Sequence, residues 1–286
     1  MDNPAPVTTS PLPPGVLADA TVTTTPRAAA RWTERTELVS IGVAVALILI
    51  WEGLTASHLL KPVILPSPQH VLRDFARSVT VGYGGESLLR HTAISSFRIV
   101  TGFIAAVIVG VAVGLWMAVN RVVHAAIDPM LQFLRPIPPL AFIPLLIMWF
   151  GIGELPKILL IFFCTLPIMI LNTVAGVTGV QQTRVRVAQC LGASSGQTFR
   201  YVILPSSLPE IFTGMRVGLG IAWTCLVAAE MVSASQGLGW MVLRAGNNLQ
   251  SGYVFVAIIA IGIVGYLMDL CLRLIERAAI PWRGKA

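Results

Sequence analysis

The stretch from Ile99 to Val119, IVTGFIAAVIVGVAVGLWMAV, contains no charged residue. A hydrocarbon core of roughly 30 Å is crossed by about 20 apolar residues in a helix rising 1.5 Å per residue. Backbone N–H and C=O groups find no water at that depth, so a segment of this kind is restricted to helix. Five more segments are largely apolar: Val39–Leu54, a proline-broken one centred on Leu140–Phe150, one from about Ile158 to Val177 that contains Pro167 and Asn172, Phe212–Val232 and Val254–Leu274. With 55% hydrophobic and 12% charged residues, the chain lacks the charge to cover a soluble surface. The expected fold class is an all-α integral membrane protein of about six transmembrane helices.

Cationic residues assign the sides of the membrane. With the N-terminus inside, the inner segments hold 12 of them and the outer segments 7, most of the latter in one longer loop. Both termini are expected to be cytoplasmic. The net charge of +7 is mostly arginine placed between apolar spans, without aromatic interleaving, which argues against nucleic acid as a partner. The opening residues lack the basic and apolar regions of a cleavable leader. Their Pro, Thr and Ala content suggests a disordered cytoplasmic tail over 1–36. The first anchor and an outer connecting segment follow over 37–98. A five-helix core is expected over 99–279, with a polar cytoplasmic loop at about 181–206, and a short tail over 280–286.

Catalytic chemistry finds little support. Cys164, Cys190, Cys225 and Cys271 are scattered without metal-ligand spacing, and His58, His70, His91 and His124 are dispersed around span ends. No metal site is expected. There is no GxxxxGK[ST] loop to hold nucleotide phosphates. A carrier working alone would place carboxylates at mid-span, whereas the acids here gather at span ends and loops.

Two spans carry small residues four apart: Gly102, Ala106, Gly110 and Gly114 in one, and Gly214, Gly218 and Ala222 in another. Such faces let helix backbones approach closely in lipid. They fit packing within one subunit or an interface between subunits. Prolines 136, 138, 139, 144 and 167 remove backbone donors at membrane depth, tolerated only where the backbone is buried in protein or lines a cavity. Arg216 stands about two turns inside the fifth span, where it serves an anion path or snorkels to the interface. Glu230 lies at the outer end of that span, before a stretch able to form a short outer helix. Its role is a gate, a contact with an external partner, or hydrogen bonding to that helix. Glu210 sits in the first turn of the fifth span, where a carboxylate suits the helix dipole.

The polar loop between the fourth and fifth spans is longer than a connection requires. A short helix from Arg184 to Leu191 can end at Gly192. A second helical turn through Thr198–Val202 is expected to stop at Pro205. The loop resembles the EAA loop of permease subunits of binding-protein-dependent ABC importers, in which Glu-Ala-Ala is followed by three residues, a glycine, nine residues and Ile-x-Leu-Pro. Ala188, Gly192 and the run Val202–Pro205 fit at that spacing, while Arg186, Val187 and Val202 replace the family's glutamate, first alanine and isoleucine. The segments LRPIPPLAFIPLLIMWFGIGELPKILLIFF and VILPSSLPEIFTGMRVGLGIAWTCLVAAEMVSASQGLGWMV are similar to the nitrate/sulfonate/taurine branch of that family.

The resemblance implies a MetI-like permease core in a bacterial plasma membrane, paired with a second copy of itself. Two separate ATPase subunits would use ATP and Mg²⁺, an extracytoplasmic binding protein would deliver the cargo, and this chain would hold no cofactor of its own. Taurine or a similar small sulfonate is the implied cargo, with aliphatic sulfonates, nitrate or another small organic compound as alternatives. Within the loop, the resemblance assigns close docking on the ATPase to Ala188, Gly192 and Ala193, and the exit angle into the fifth span to Leu204 and Pro205.

Overall fold

The computed structural model describes residues 27–57 and 61–282, all helix, turn or loop apart from one isolated bridge between Tyr83 and Glu86. The chain divides into two units, Met1–Leu54 and Thr55–Ala286. In the first, helix α1 covers Arg27–Ala56. Residues 27–36, expected as disordered tail, are therefore helical, and the rest of the expected tail lies outside the described residues. The expected first span, Val39–Leu54, lies within α1.

The second unit opens with α2 (Pro68–Thr80), capped by the Ser67 hydroxyl, which accepts from the His70 amide at 3.2 Å. Helix α3 (Leu88–Val119) follows, with Ser87 as its cap. It starts far upstream of the apolar run that announced it. Asn120 ends α3 in extended conformation, and its side chain caps α4 (Arg121–Leu134) by accepting from the Val122 and Val123 amides. A short 3₁₀ turn (Pro139–Phe142) and α5 (Ile143–Phe150) complete a pair bent by 92°. The proline-broken segment centred on Leu140–Phe150 is thus the second limb of a pair whose first limb, α4, begins at Arg121. Pro136, Pro138 and Pro139 force the bend, because each proline disfavours helix in the residue before it and lacks an N–H of its own.

Helix α6 (Glu154–Thr178) lies at the centre of the bundle, with α3 on one flank and α9 (Leu204–Ser233) on another. Its neighbours give the helix directions. Gly102 of α3 faces Ile158 and Ile161, Gly110 faces Met169, and Gly114 faces Thr173. Both numberings rise together, so α3 and α6 run parallel. Two consecutive parallel spans need a return crossing between them, and only α4–α5 can supply it. Glycines 214 and 218 of α9 meet Asn172 and Thr165 in descending order, so α9 runs antiparallel to α6.

Every small residue of both stripes therefore faces α6 or its immediate surroundings within the same chain. A methyl group at Gly110 would stand 2.5 Å from the Met169 Cβ, and one at Gly214 as close to the Asn172 Cβ. Ala106 and Ala222 are fully buried. These faces are filled internally and are not available as a contact between copies. Van der Waals contact of this kind holds helices together in lipid, since hydrocarbon is as apolar as their side chains. Around the seam, Ile99, Phe103, Ile161, Leu219 and Leu226 form one buried cluster, and Met117, Leu131 and Ile170 another.

Short helices α7 (Gln182–Cys190) and α8 (Ser195–Thr198) lie before α9, at the end of the bundle where α6 finishes. Beyond α9, the short helix α10 (Leu238–Asn247) lies at the opposite end, where a short helix was expected after Glu230. The chain returns through α11 (Ser251–Ala279), antiparallel to α9, because Trp223 meets Gly265 and Arg216 meets Asp269.

Candidate functional site

Two polar assemblies stand at opposite ends of the bundle. At the α7–α8 end, the hairpin is built from a helix stop and a helix start separated by one residue. Gly192 adopts φ +84°, its amide donates to the Gln189 carbonyl at 3.0 Å, and the Ala193 amide donates to the Ala188 carbonyl at 3.1 Å. This pair of bonds is a Schellman motif, which needs a residue in the left-handed region at its centre. Ser194 then opens α8 with a capping box: its hydroxyl accepts from the Gln197 amide and its amide donates to Gln197 Oε1 at 2.8 Å. Ala188, Gly192 and Ala193 thus form one local structure. Arg186 and Val187 lie on α7, which buries no residue, and Leu191 is 83% exposed.

Pro205 does not stop the chain, contrary to the sequence expectation. Helical backbone continues from Ser195 to Ser233 through a π turn at Phe199–Ile203. The Leu204 amide donates to the Phe199 carbonyl, five residues back. That wider turn takes up the chain where Pro205, in the first turn of α9, brings no donor. Val202 lies in the π turn and Leu204 opens α9, so hairpin and span form one continuous rod.

Arg216 lies further along α9, between Gly214, which meets Asn172, and Gly218, which meets Thr165. Its Nε donates to Asp269 Oδ1 at 3.2 Å, and Arg273 Nη2 lies 2.8 Å from Asp269 Oδ2. Arg216, Arg273 and Arg277 line an open cavity of about 410 Å³ between α9 and the end of α11. Arg216, expected inside the fifth span either on an anion path or snorkelling to the interface, is ion-paired with Asp269 of α11.

The other assembly centres on Arg98, whose side chain is 2% exposed. Its guanidinium donates to Glu230 Oε1 at 2.7 Å, to the Gln236 carbonyl at 2.8 Å, and through Nη2 to Glu154 Oε1 at 2.8 Å, while Nε bonds Glu154 Oε2. Glu230, wholly buried, also accepts from the Ser95 hydroxyl and, through Oε2, from the Gly239 amide at 2.8 Å. Ser95 in turn accepts from the Leu238 amide. One arginine therefore ties α3, α6, α9 and the start of α10. Gly237 (φ +126°) leaves room for the Glu230 carboxylate, 2.5 Å from where a Cβ would lie. His91 accepts from the Gly237 amide at Nδ1 and faces the Tyr83 carbonyl through Nε2, which places its proton on Nε2. Lys157, 4% exposed, adds a second cation 3.2 Å from Glu154 Oε1.

Sequence reading singled out Glu230 and missed Arg98, Glu154 and Lys157. Arg98 was placed in an outer loop because the apolar run begins just after it. The signal was present in the spacing: His91, Ser95 and Arg98 extend the stripe of Gly102, Ala106, Gly110 and Gly114 backwards at helical intervals. One face of α3 carries polar groups at one end and small residues along the rest.

The whole arrangement, from the apolar run at Ile99 to the end of α11, coincides with one family. Residues 99–280 match the binding-protein-dependent transport system inner membrane component family. The chain belongs to that family. It is similar to the taurine transport system permease protein of Escherichia coli (strain K12), 42% identical over 257 residues, which cover 89% of this chain and 94% of that protein. The putative aliphatic sulfonates transport permease protein of Bacillus subtilis (strain 168) is 36% identical over 238 residues, covering 83% of this chain and 85% of that one. Among solved structures, a chain of the inward-facing MetNI methionine ABC transporter superposes with a TM-score of 0.58 at 18% identity, covering 67% of this permease and 95% of that chain. At that identity the likeness carries the fold alone. This permease is thus an ABC importer subunit of the taurine, sulfonate and nitrate branch, with a MetI-like helical core.

Proposed function

We propose that this permease forms the membrane path of an ATP-driven importer for taurine or a similar small sulfonate. The observation that carries the reading is its 42% identity, over nearly the full length of both chains, to a taurine permease. Two copies pair, each engages one separate ATPase subunit that uses ATP and Mg²⁺, and a binding protein delivers cargo at the α10 end in a bacterial plasma membrane. The α7–α8 hairpin is the ATPase-coupling element, on the cytoplasmic side with both termini. Its exposed Val187, Leu191 and Tyr201 offer apolar contact, and the unbroken helix from Ser195 to Ser233 transmits a push into the bundle. The ATPase states shift the permease only to the extent that they hold this hairpin differently.

The test is uptake of labelled taurine at low sulfur in the native host, with and without this gene, against unlabelled longer sulfonates and nitrate. Loss of uptake in the deletion, poorly competed by the others, is the expected result. Unchanged taurine uptake would remove taurine and redirect the assignment to an aliphatic sulfonate, nitrate or another small organic compound.

A further inference from the structure

The Arg98 assembly contains one member unlike the rest. Arg98, Lys157 and Glu230 are 2%, 4% and 0% exposed, whereas the Glu154 side chain is 53% exposed. Glu230 accepts from three donors, the Ser95 hydroxyl and Arg98 of α3 and the Gly239 amide of α10. Arg98 keeps Glu230 and the Gln236 carbonyl whatever Glu154 does. Glu154 is held only by the two cations it covers, among the contacts of described residues.

We propose that Arg98 and Lys157 form a binding site for a monovalent sulfonate or equivalent monoanion, and that Glu154 is its built-in occupant, displaced when the anion arrives. The proposal rests on the importer reading only for the identity of the cargo.

Three features support an exchange. First, the donors match the ligand. Arg98 Nε, Arg98 Nη2 and Lys157 Nζ converge on one carboxylate. A sulfonate offers three oxygens to the same three donors, and the guanidinium fork accepts either group in bidentate fashion. Second, the charges set the valence. Arg98 and Lys157 contribute two positive charges and Glu230 one negative charge, so the pocket without Glu154 carries one net positive charge. A monoanion restores neutrality as Glu154 does, whereas sulfate leaves an excess negative charge in a desolvated place. Third, the exchange is confined to one side. Without Glu154 the buried Lys157 loses its ion pair and Arg98 keeps one carboxylate for two cations, which is strongly unfavourable, so Glu154 stays until another anion replaces it. Its own exposure lets the displaced carboxylate regain water. The site lies where α3, α6, α9 and α10 are tied, so occupancy is placed to act on the packing of that end.

The test uses the complete permease–ATPase complex in nanodiscs, without binding protein, and radiolabelled methanesulfonate as probe. Glu154→Ala is expected to bind methanesulfonate at least tenfold more tightly than wild type. Nitrate should compete and sulfate at matched ionic strength should not, and adding Lys157→Met should remove the gain. Glu154→Gln, which keeps the side-chain shape and loses the charge, should shift binding in the same direction and serves if the alanine variant fails to assemble. In the unmodified complex, methanesulfonate and nitrate should raise Tm and sulfate should not. Unchanged affinity in both Glu154 variants, equal binding of sulfate, or a gain that survives Lys157→Met would each overturn the proposal. Tight monoanion binding together with unchanged taurine uptake in the gene deletion would overturn the cargo assignment and leave the site standing.

Discussion

Gly114 and Gly220 are both helical glycines in the bundle, and their surroundings make them opposites. A methyl group at Gly114 would lie 2.6 Å from the Thr173 Cβ and 2.9 Å from the Ile170 carbonyl oxygen, while nothing lies within 4 Å at Gly220. Gly114→Ala must separate α3 from α6, and overpacking of this kind costs about 1–3 kcal/mol. Gly220→Ala gains helix propensity and is neutral or stabilising by about 0.5–1 kcal/mol. Thermal unfolding of the purified permease should therefore show a lowered Tm for the first variant and an equal or higher Tm for the second. Equal effects would mean that α3 and α6 do not meet along this face. The stripe itself was legible, because small residues four apart share a helix face whatever surrounds them. Which helix they meet was not, since that depends on a partner many residues away. Arg98 shows the same limit: its place on the stripe is written in the spacing, but its bonds to Glu154 and Glu230 join residues 56 and 132 positions apart.

At the scale of elements, the hairpin and the bundle separate strain from stability. Gly192 sits at φ +84°, and α7 buries nothing, so strain introduced there is relieved by moving the hairpin. Gly192→Val places a β-branched residue in the left-handed region at a cost of about 1–3 kcal/mol. Cargo uptake should fall about tenfold, the factor that 1.4 kcal/mol represents, while the Tm of the bundle stays at its wild-type value. Leu191→Arg should reduce co-purification of the ATPase subunit, and Val81→Ser, equally exposed at the far end, should not. A Tm loss in Gly192→Val matching that of Gly114→Ala would show the hairpin to be part of the bundle's core. The helix stop at Gly192 was legible in local residues. The passage of helix through Pro205 was not, because a π turn depends on where the following span is held by α6.

At the scale of the whole molecule, directions fix the sides. Parallel α3 and α6, with α9 antiparallel to α6 and α11 antiparallel to α9, place the α7–α8 hairpin and the end of α11 on one side and α2, Arg98 and α10 on the other. With the hairpin in the cytoplasm, a membrane-impermeant maleimide should label Val81→Cys in spheroplasts and leave the native, exposed Cys190 unlabelled. Inside-out vesicles should reverse the pattern. Labelling of both residues from one side would contradict the parallel pairing of α3 and α6.

The membrane class, most of the spans, the small-residue stripes and the glycine-to-proline spacing of the polar loop were all determined by the sequence itself. Each follows from hydropathy or from intervals within one helix or loop, which local chemistry fixes. Tertiary structure alone decided that α4 and α5 form one bent crossing, that both glycine stripes fill against α6, that Arg216 ends in an ion pair, and that Arg98 gathers two carboxylates. The physical reason is common to all four. A helix in lipid gains little from burying an apolar face, so what it meets is set by close fit and by the few charges that must find a partner, and both are properties of the assembled bundle.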